Sequence, residues 1–150
     1  MKRVPRGAFF LLAVWSRFCD NVEMKNEWLL EWRSEYSVGN DIIDQQHQGL
    51  FVIANEILRA HDADESTRGI MKLFKYTRIH FHDEEEIMAQ RGYSGLEEHR
   101  QKHEELIERL GGIATVINHD KEAFSERVFE LMLDWILTHI VEEDRKIGFT

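Results

Sequence analysis

The fold is decided by residues 77–103, which read TRIHFHDEEEIMAQRGYSGLEEHRQKH. His80 and Glu84 lie four residues apart in the first half of this stretch, and His99 and His103 lie four apart in the second half. A spacing of four puts both side chains of each pair on one face of a helix. The letters RGY between the pairs are typical of a helix end, with the glycine just after the last turn. The stretch therefore predicts two helices joined by a short loop, each with a pair of possible metal ligands.

Two further clusters of the same kind lie on either side of this stretch. His47 belongs to one segment with apolar residues at helical spacing, and His139 with Asp144 belongs to another. Few glycines and a single proline favour a mostly helical chain. Ser66 and Ser94 are the expected N-caps of the second and third helices. The four expected helices cover about residues 41–61, 66–90, 94–118 and 121–144.

The relative positions of the four clusters predict the architecture. Short loops between four helices imply an all-α, antiparallel up-down-up-down bundle. The clusters lie early in the first and third helices and late in the second and fourth, so all of them fall at one level near one end. The side chains expected to converge there are His47, His80, Glu84, His99, His103, His139 and Asp144.

This donor set predicts a site for two metal ions. Imidazole and carboxylate together are ligands for first-row transition metals. Five imidazoles, two bridging carboxylates and one solvent-derived bridge would fill about eleven of roughly twelve positions around two octahedral ions. One position would stay open, which favours binding of a small molecule over a purely structural role. Apolar neighbours such as Phe51 and Trp135 predict a dry pocket suited to a small apolar gas.

The composition argues against several other classes of function. The chain has 150 residues, enough for one domain with a sizeable core, and a formal net charge of −9. This acidity argues against nucleic acid as a partner, because little positive charge is available to neutralise phosphates. A single cysteine excludes an intrachain disulfide and a thiolate metal site, and it suits a reducing compartment. We therefore expect a cytoplasmic protein.

The first 23 residues are interpreted as an extension that precedes a domain over residues 24–150. An apolar run from Ala8 to Trp15 follows a basic start and imitates a signal peptide, but it lacks a small-residue cleavage site. The run is too short for a membrane span, which takes about 20 residues. A non-native extension is the preferred interpretation, with an amphipathic docking segment and an export signal as alternatives.

Several other residues are assigned to packing or to the surface. An arm over residues 26–40 is expected to pack onto the bundle through its aromatic side chains, Trp28, Trp32 and Tyr36. Glu85 and Glu86 are assigned to a solvated acidic run, with a contact between Glu85 and a metal-ligand side chain as the less favoured alternative. The histidines expected not to be ligands are His61, His82 and His119. His82 in particular lies about 200° around the helix from His80 and should face away.

The sequence resembles the hemerythrins and bacteriohemerythrins over residues 31–147. The matching motifs are Trp32 with Tyr36-Ser37-Val38-Gly39, Ile43-Asp44 with Gln46-His47, His80-Phe81 with Glu84-Glu85, His99 with His103, and His139-Ile140 with Asp144. The resemblance implies a four-helix bundle with a non-haem di-iron site that binds dioxygen reversibly. Three residues depart from the family pattern, namely Ser94, Val141 and Ile147.

The same resemblance implies a role for each ligand. One iron would be held by His99, His103 and His139. The other, which keeps the open position, would be held by His47 and His80, and both carboxylates would bridge. From the residues alone, manganese or zinc would also fit. One alternative to oxygen storage, delivery or sensing is an enzyme, namely a di-iron oxidase, peroxidase or nitric oxide reductase. The other is a sensor or interaction module in which the arm or the extension reports the state of the site. The nitrogen-rich ligand set favours oxygen binding over an enzyme.

Overall fold

A computed structural model describes residues 29–115 and 121–148 of the chain. Most of these residues are helical, and no strand occurs among them. The α-helices are α1, Asp41–Leu58; α2, Ala63–Gln90; α3, Leu96–Ala114; and α4, Lys121–Asp134. A π-helix, Trp135–Glu143, and two 3-10 helices, Ser34–Tyr36 and Asp144–Ile147, complete the described elements. None of the described helices is long and apolar enough to cross a bilayer.

Side-chain bonds between the elements establish that neighbouring helices are antiparallel. Gln46, near the start of α1, donates through Nε2 to Asp83 Oδ2 near the end of α2, at 2.7 Å. Lys102, near the start of α3, contacts Glu143 beyond the end of α4, with 2.6 Å between Nζ and Oε2. Early residues therefore face late ones, and the four-helix bundle expected from the sequence is confirmed.

The core lies along the bundle axis and is built from the apolar stripe of each helix. The stripe of α4 illustrates the pattern, since Phe124, Val128 and Met132 are spaced by four residues and are buried. Burying each such side chain contributes about 1.5–3 kcal/mol of transfer free energy. This packing fixes the rotation of each helix about its own axis, and so determines which face of the helix points to the metal end.

Two of the expected N-caps are wrong. Asp62, not Ser66, caps α2, because its Oδ1 accepts the Glu65 backbone N–H at 2.8 Å, so the helix starts four residues earlier than a Ser66 cap would allow. Ser66 lies inside the first turn and donates its hydroxyl to the Asp62 carbonyl at 2.9 Å. Gly95 is the N-cap of α3, without a side-chain hydrogen bond, and Ser94 precedes it. The expected end of the third helix near residue 118 is also wrong, because the helix ends at Ala114 with Thr115 as its C-cap, just after the two helix-weakening glycines, Gly111 and Gly112. Residues 116–120 lie outside the described ranges.

The described part of the N-terminal arm packs onto α1. The Trp32 ring lies 5.8 Å from the Tyr36 ring and 5.5 Å from the Phe51 ring, measured between centroids. The Asn55 side-chain amide accepts from the Leu30 backbone N–H and donates to the Leu30 carbonyl, both at 2.8 Å. These contacts agree with the packing expected for Trp32 and Tyr36. Trp28 and the extension over residues 1–23 lie outside the described residues.

Candidate metal centre

All seven side chains predicted from the sequence meet at one end of the bundle. Each is at most 4% exposed to solvent. Their donor atoms form two overlapping groups, and within each group all of these atoms lie within 4.8 Å of one another. The first group is Glu84, His99, His103, His139 and Asp144; the second is His47, His80, Glu84 and Asp144. Both carboxylates belong to both groups, so the arrangement suits two cations that share them.

The turn after α2 brings the second and third clusters together. Gly92 adopts a left-handed conformation with φ 65°, which an L side chain rarely adopts. The Tyr93 N–H then bonds to the Met88 carbonyl at 3.0 Å, and the chain reverses into α3. As a result, His99 Nε2 lies 3.2 Å from Glu84 Oε2.

A π-helix places the two donors from the last cluster. His139 and Asp144 are five residues apart, which on an α-helix would separate them by about 140°. In this segment the Asp144 backbone N–H bonds instead to the His139 carbonyl, the i to i+5 pattern of a π-helix. His139 Nε2 therefore lies 3.1 Å from Asp144 Oδ1. The expectation of a regular helix up to residue 144 is wrong, because it overlooked what a five-residue spacing requires.

The separations between donor atoms suit ligands that share an ion. Metal–nitrogen bonds of about 2.1 Å at right angles put neighbouring ligand atoms about 3.0 Å apart. His103 Nε2 lies 3.0 Å from His139 Nε2, and 3.2 Å from Glu84 Oε2. Asp144 faces both groups, with Oδ2 3.2 Å from His47 Nε2 and Oδ1 3.3 Å from His99 Nε2. The chain thus holds donors near the separations that coordination requires.

Burial and neighbouring hydrogen bonds set His80, His139 and Glu84 in the protonation states that metals need. Burial lowers the pKa of His80 to about 3 and that of His139 to about 4, which keeps both imidazoles neutral. Burial raises the pKa of Glu84, but hydrogen bonds from His103 and His99 outweigh it and bring the value to about 2. Burial lowers the pKa of His99, but the adjacent Asp144 and Glu84 carboxylates outweigh this effect and raise the pKa to about 9. This imidazole must release its proton when a metal binds.

Unpartnered buried atoms provide the test of whether these residues fit a metal pair. Eight buried side-chain nitrogen or oxygen atoms of the described residues lack a hydrogen-bond partner, and six of them belong to His47, His80, Glu84 and Asp144. Buried polar atoms normally have partners, because leaving one unpaired costs about 1–3 kcal/mol. Within the described ranges, neither carboxylate forms an ion pair with a lysine or arginine. Two cations would give the unpartnered atoms a bonding partner and would neutralise the two carboxylates. The residues therefore fit a pair of metal ions.

Gln46 orients one of the second-group imidazoles. His80 Nδ1 lies 2.9 Å from Gln46 Oε1, and the Gln46 amide nitrogen is in turn held by Asp83. With Nδ1–H donated to this oxygen, Nε2 keeps its lone pair for the cluster. Sequence reasoning did not give Gln46 this role, although its place directly before His47 was noted as part of a motif.

Glu85 orients an imidazole of the first group, which corrects its assignment to a solvated run. Its Oε1 lies 2.7 Å from His103 Nδ1, and its Oε2 accepts from Arg100 Nε at 3.2 Å. The signal was present in the sequence, because the residue next to Glu84 points toward the neighbouring helix when Glu84 points toward the axis. His82 is exposed, as expected, and so is His61; His119 lies outside the described residues.

Aromatic rings pack against the cluster on the side that faces the hydrophobic core. Phe81 stacks on the His103 ring with centroids 3.6 Å apart and planes 5° from parallel. The buried Trp135 ring lies 5.3 Å from Phe81, and Trp32 lies 6.2 Å from the His47 ring. These rings keep water from the donors and restrict rotation of the imidazoles.

The fold and the cluster together define a four-helix-bundle protein with a site for two metal ions. Comparison with known families is consistent with this class, since the sequence model of the hemerythrin HHE cation binding domain matches residues 38–148. The chain therefore belongs to the hemerythrin family. The cofactor of this family is a non-haem di-iron centre, and the cluster described above is the one that could hold it.

Individual relatives include a bacteriohemerythrin, a myohemerythrin and a hemerythrin-like protein. The chain is 31% identical over 123 residues to a bacteriohemerythrin of Clostridium acetobutylicum, which covers 77% of this chain and 95% of that relative. It is 28% identical over 116 residues to a myohemerythrin of Theromyzon tessulatum, covering 77% and 88%. A hemerythrin-like protein of Naegleria gruberi is 27% identical over 116 residues, covering 77% and 87%. The region matched by the family model, residues 38–148, contains all four helices of the bundle. The division into an extension over residues 1–23 and a domain over residues 24–150 stays a prediction.

Proposed function

We propose that this protein binds dioxygen reversibly at a di-iron centre whose ligands are the seven side chains of the cluster. Glu84 and Asp144 would be shared between the two irons, since both belong to both donor groups. When bound in the reduced state, the iron pair supplies the electrons and the open position that dioxygen binding needs. The storage, delivery and sensing roles of such proteins share this chemistry, and the proposal covers all three.

The unequal size of the two donor groups is the observation that supports small-molecule binding. One group offers five residues and the other four. If each ion has six positions and one solvent bridge is shared, the first ion is full and the second keeps about one position free. That second ion is the one beside His47 and His80, which is also the open side expected from the family resemblance.

The surroundings of the cluster favour binding over turnover. Phe81, Trp135 and Ile140 are buried near the cluster, and their side chains contain no acidic or basic group. The two nearby carboxyl groups that are not ligands, Glu85 and Asp83, are held by hydrogen bonds to Arg100 and Gln46. A dry pocket of this kind slows proton delivery to a bound ligand, which favours its release unchanged. The proposal therefore treats the protein as an oxygen carrier or sensor rather than an enzyme.

Absorption spectroscopy with metal analysis tests the proposal. Purified, iron-loaded protein should contain about two irons per chain, and its visible spectrum should change on exposure to air and return when oxygen is removed. His80→Ala should abolish this cycle, whereas the matched control His82→Ala, on the exposed face of the same helix, should leave it intact. Steady oxygen consumption with an external reductant would instead indicate a di-iron redox enzyme and contradict reversible binding.

A further inference from the structure

Two imidazoles of the cluster contact different kinds of hydrogen-bond acceptor through Nδ1, the ring nitrogen that faces away from the cluster. His103 Nδ1 faces a carboxylate, at 2.7 Å from Glu85 Oε1. His80 Nδ1 faces a neutral amide, at 2.9 Å from Gln46 Oε1. His103 belongs to the five-residue donor group and His80 to the four-residue group. The two metal positions therefore differ in the charge of the group that accepts a hydrogen bond from one of their imidazole ligands.

A charged acceptor changes an imidazole more than a neutral one does. A hydrogen bond to an ionised group is roughly twice as strong as one between neutral groups. When Nδ1–H is drawn toward a carboxylate, Nε2 becomes a stronger electron donor to a bound metal. An amide oxygen fixes the orientation of the ring but adds no net charge. His103 should consequently be the more electron-donating of these two ligands.

The structure holds Glu85 firmly against His103. Arg100 Nε donates to Glu85 Oε2 at 3.2 Å, which leaves Oε1 for the imidazole. Phe81 stacks on the face of the His103 ring at 3.6 Å, so the ring cannot turn away from Glu85. Glu85 is only 23% exposed, which limits how far water screens its charge. The same Arg100 charge partly offsets the carboxylate, so the two residues oppose each other.

We propose that Glu85 is a positioning residue that makes the metal bound by His103 the more electron-rich of the pair, with Arg100 setting how much. The inference rests on the proposed function and deepens it. A more electron-rich iron is oxidised more easily, so Glu85 lowers the reduction potential and strengthens dioxygen binding. Gln46 leaves the ion on the His80 side without this added charge.

Variants at these residues predict potential shifts of opposite sign. Glu85→Gln keeps an acceptor for His103 but removes the charge, and should move the reduction potential to a more positive value and weaken oxygen affinity about tenfold. Arg100→Gln should move the potential the other way, and Gln46→Glu should also make it more negative. Glu56→Gln, which breaks the exposed ion pair with Lys72 between α1 and α2, is the matched control and should leave the potential unchanged.

Spectroelectrochemistry of the iron-loaded protein measures these potentials, and zinc-loaded protein gives an independent measurement. In the zinc form, nuclear magnetic resonance should show the His103 Nδ1 proton at an unusually low field, and Glu85→Gln should move it upfield. A purely structural role for Glu85 would lower stability without moving either the potential or this proton. If the wild-type protein binds and releases oxygen but Glu85→Gln and Arg100→Gln have the same reduction potential as the wild type, the inference about Glu85 is wrong and the proposed function still stands. Wild-type protein that does not cycle would overturn the proposed function.

Discussion

The two ends of the bundle are stabilised by different physical means. At the far end, buried apolar side chains such as Leu110 and Ile57 fill the space between the helices. At the metal end, two carboxylates and five imidazoles occupy the same axial position, and six of their atoms lack partners. The far end can be stable through packing alone, whereas the metal end carries a desolvation cost that a cation must offset. The comparison predicts that the two ends respond separately to mutation, pH and metal.

Removing a shared carboxylate should have the largest effect. Glu84→Ala and Asp144→Ala each take a donor from both metal positions, so iron content should fall from about two per chain to nearly none. The control Glu86→Ala, two residues along the same helix and exposed, should keep the full content. Metal analysis after desalting measures the result. Full iron content in either variant would contradict the assignment of Glu84 and Asp144 as ligands shared by both metal positions.

The stability of the metal-free protein should pass through a maximum near pH 6.5. His80 and His139 have lowered pKa values of about 3 and 4, so the stability they contribute is complete above about 6.5 and is lost as pH falls toward those values. Glu84 adds a loss between about 4.3 and its folded value of about 2. His99 acts oppositely, because its pKa of about 9 makes its contribution disappear as pH rises from about 6.5.

Urea unfolding of chelator-treated protein at pH 4.5, 6.5 and 9 measures this curve. Because one pKa unit corresponds to about 1.4 kcal/mol, the acid loss should reach several kcal/mol. Stability that rises steadily from pH 6.5 to pH 9 would contradict the role given to His99. Bound metal should flatten the alkaline side, since a coordinated imidazole has no proton to lose there.

A cavity at the far end should cost stability without disturbing the site. Leu110→Ala removes a fully buried side chain, which destabilises folding by about 2–5 kcal/mol. Iron per folded chain should stay at the wild-type value, because Leu110 lies two turns beyond His103. Glu108→Ala, at an exposed position on the same helix, is the control. A matching fall in iron affinity would show that the two ends are coupled.

Replacing one hydroxyl should have the smallest effect. Thr77 is fully buried, and its hydroxyl lacks a partner, unlike that of Thr67, which donates to the Ala63 carbonyl at 2.7 Å. Thr77→Val keeps the shape and removes the unpaired group, so the free energy of unfolding should rise by about 1 kcal/mol. Thermal denaturation checks the sign. A decrease would show that the hydroxyl has a partner in solution.

Sequence spacing predicted where the donors meet, because helix geometry converts intervals of four directly into shared faces. His80 with Glu84 and His99 with His103 required nothing more, and the structure brings all seven predicted side chains together. Their role as ligands stays a prediction until metal is measured. The bundle was predictable for the same reason, since short loops leave few arrangements for four amphipathic helices.

The features that sequence reasoning missed depend on competition between neighbours. Asp62 and Ser66 can both cap a helix, and only the surrounding packing decides that the earlier residue does so. The helix position of Glu85 indicates that it faces the neighbouring helix, but its contact with His103 depends on how closely α3 approaches α2. The π-helix could have been inferred, because His139 and Asp144 can share a face only if the turn between them holds an extra residue.

That extra residue makes the length of the C-terminal segment a determinant of metal loading. Inserting one further residue between His139 and Asp144 would make their spacing six and turn the carboxylate about 100° away from its partners. The rest of the molecule would still assemble, because its packing lies elsewhere. Such a lengthened chain would be an intact but empty scaffold, useful for separating the energetics of assembly from those of cation capture.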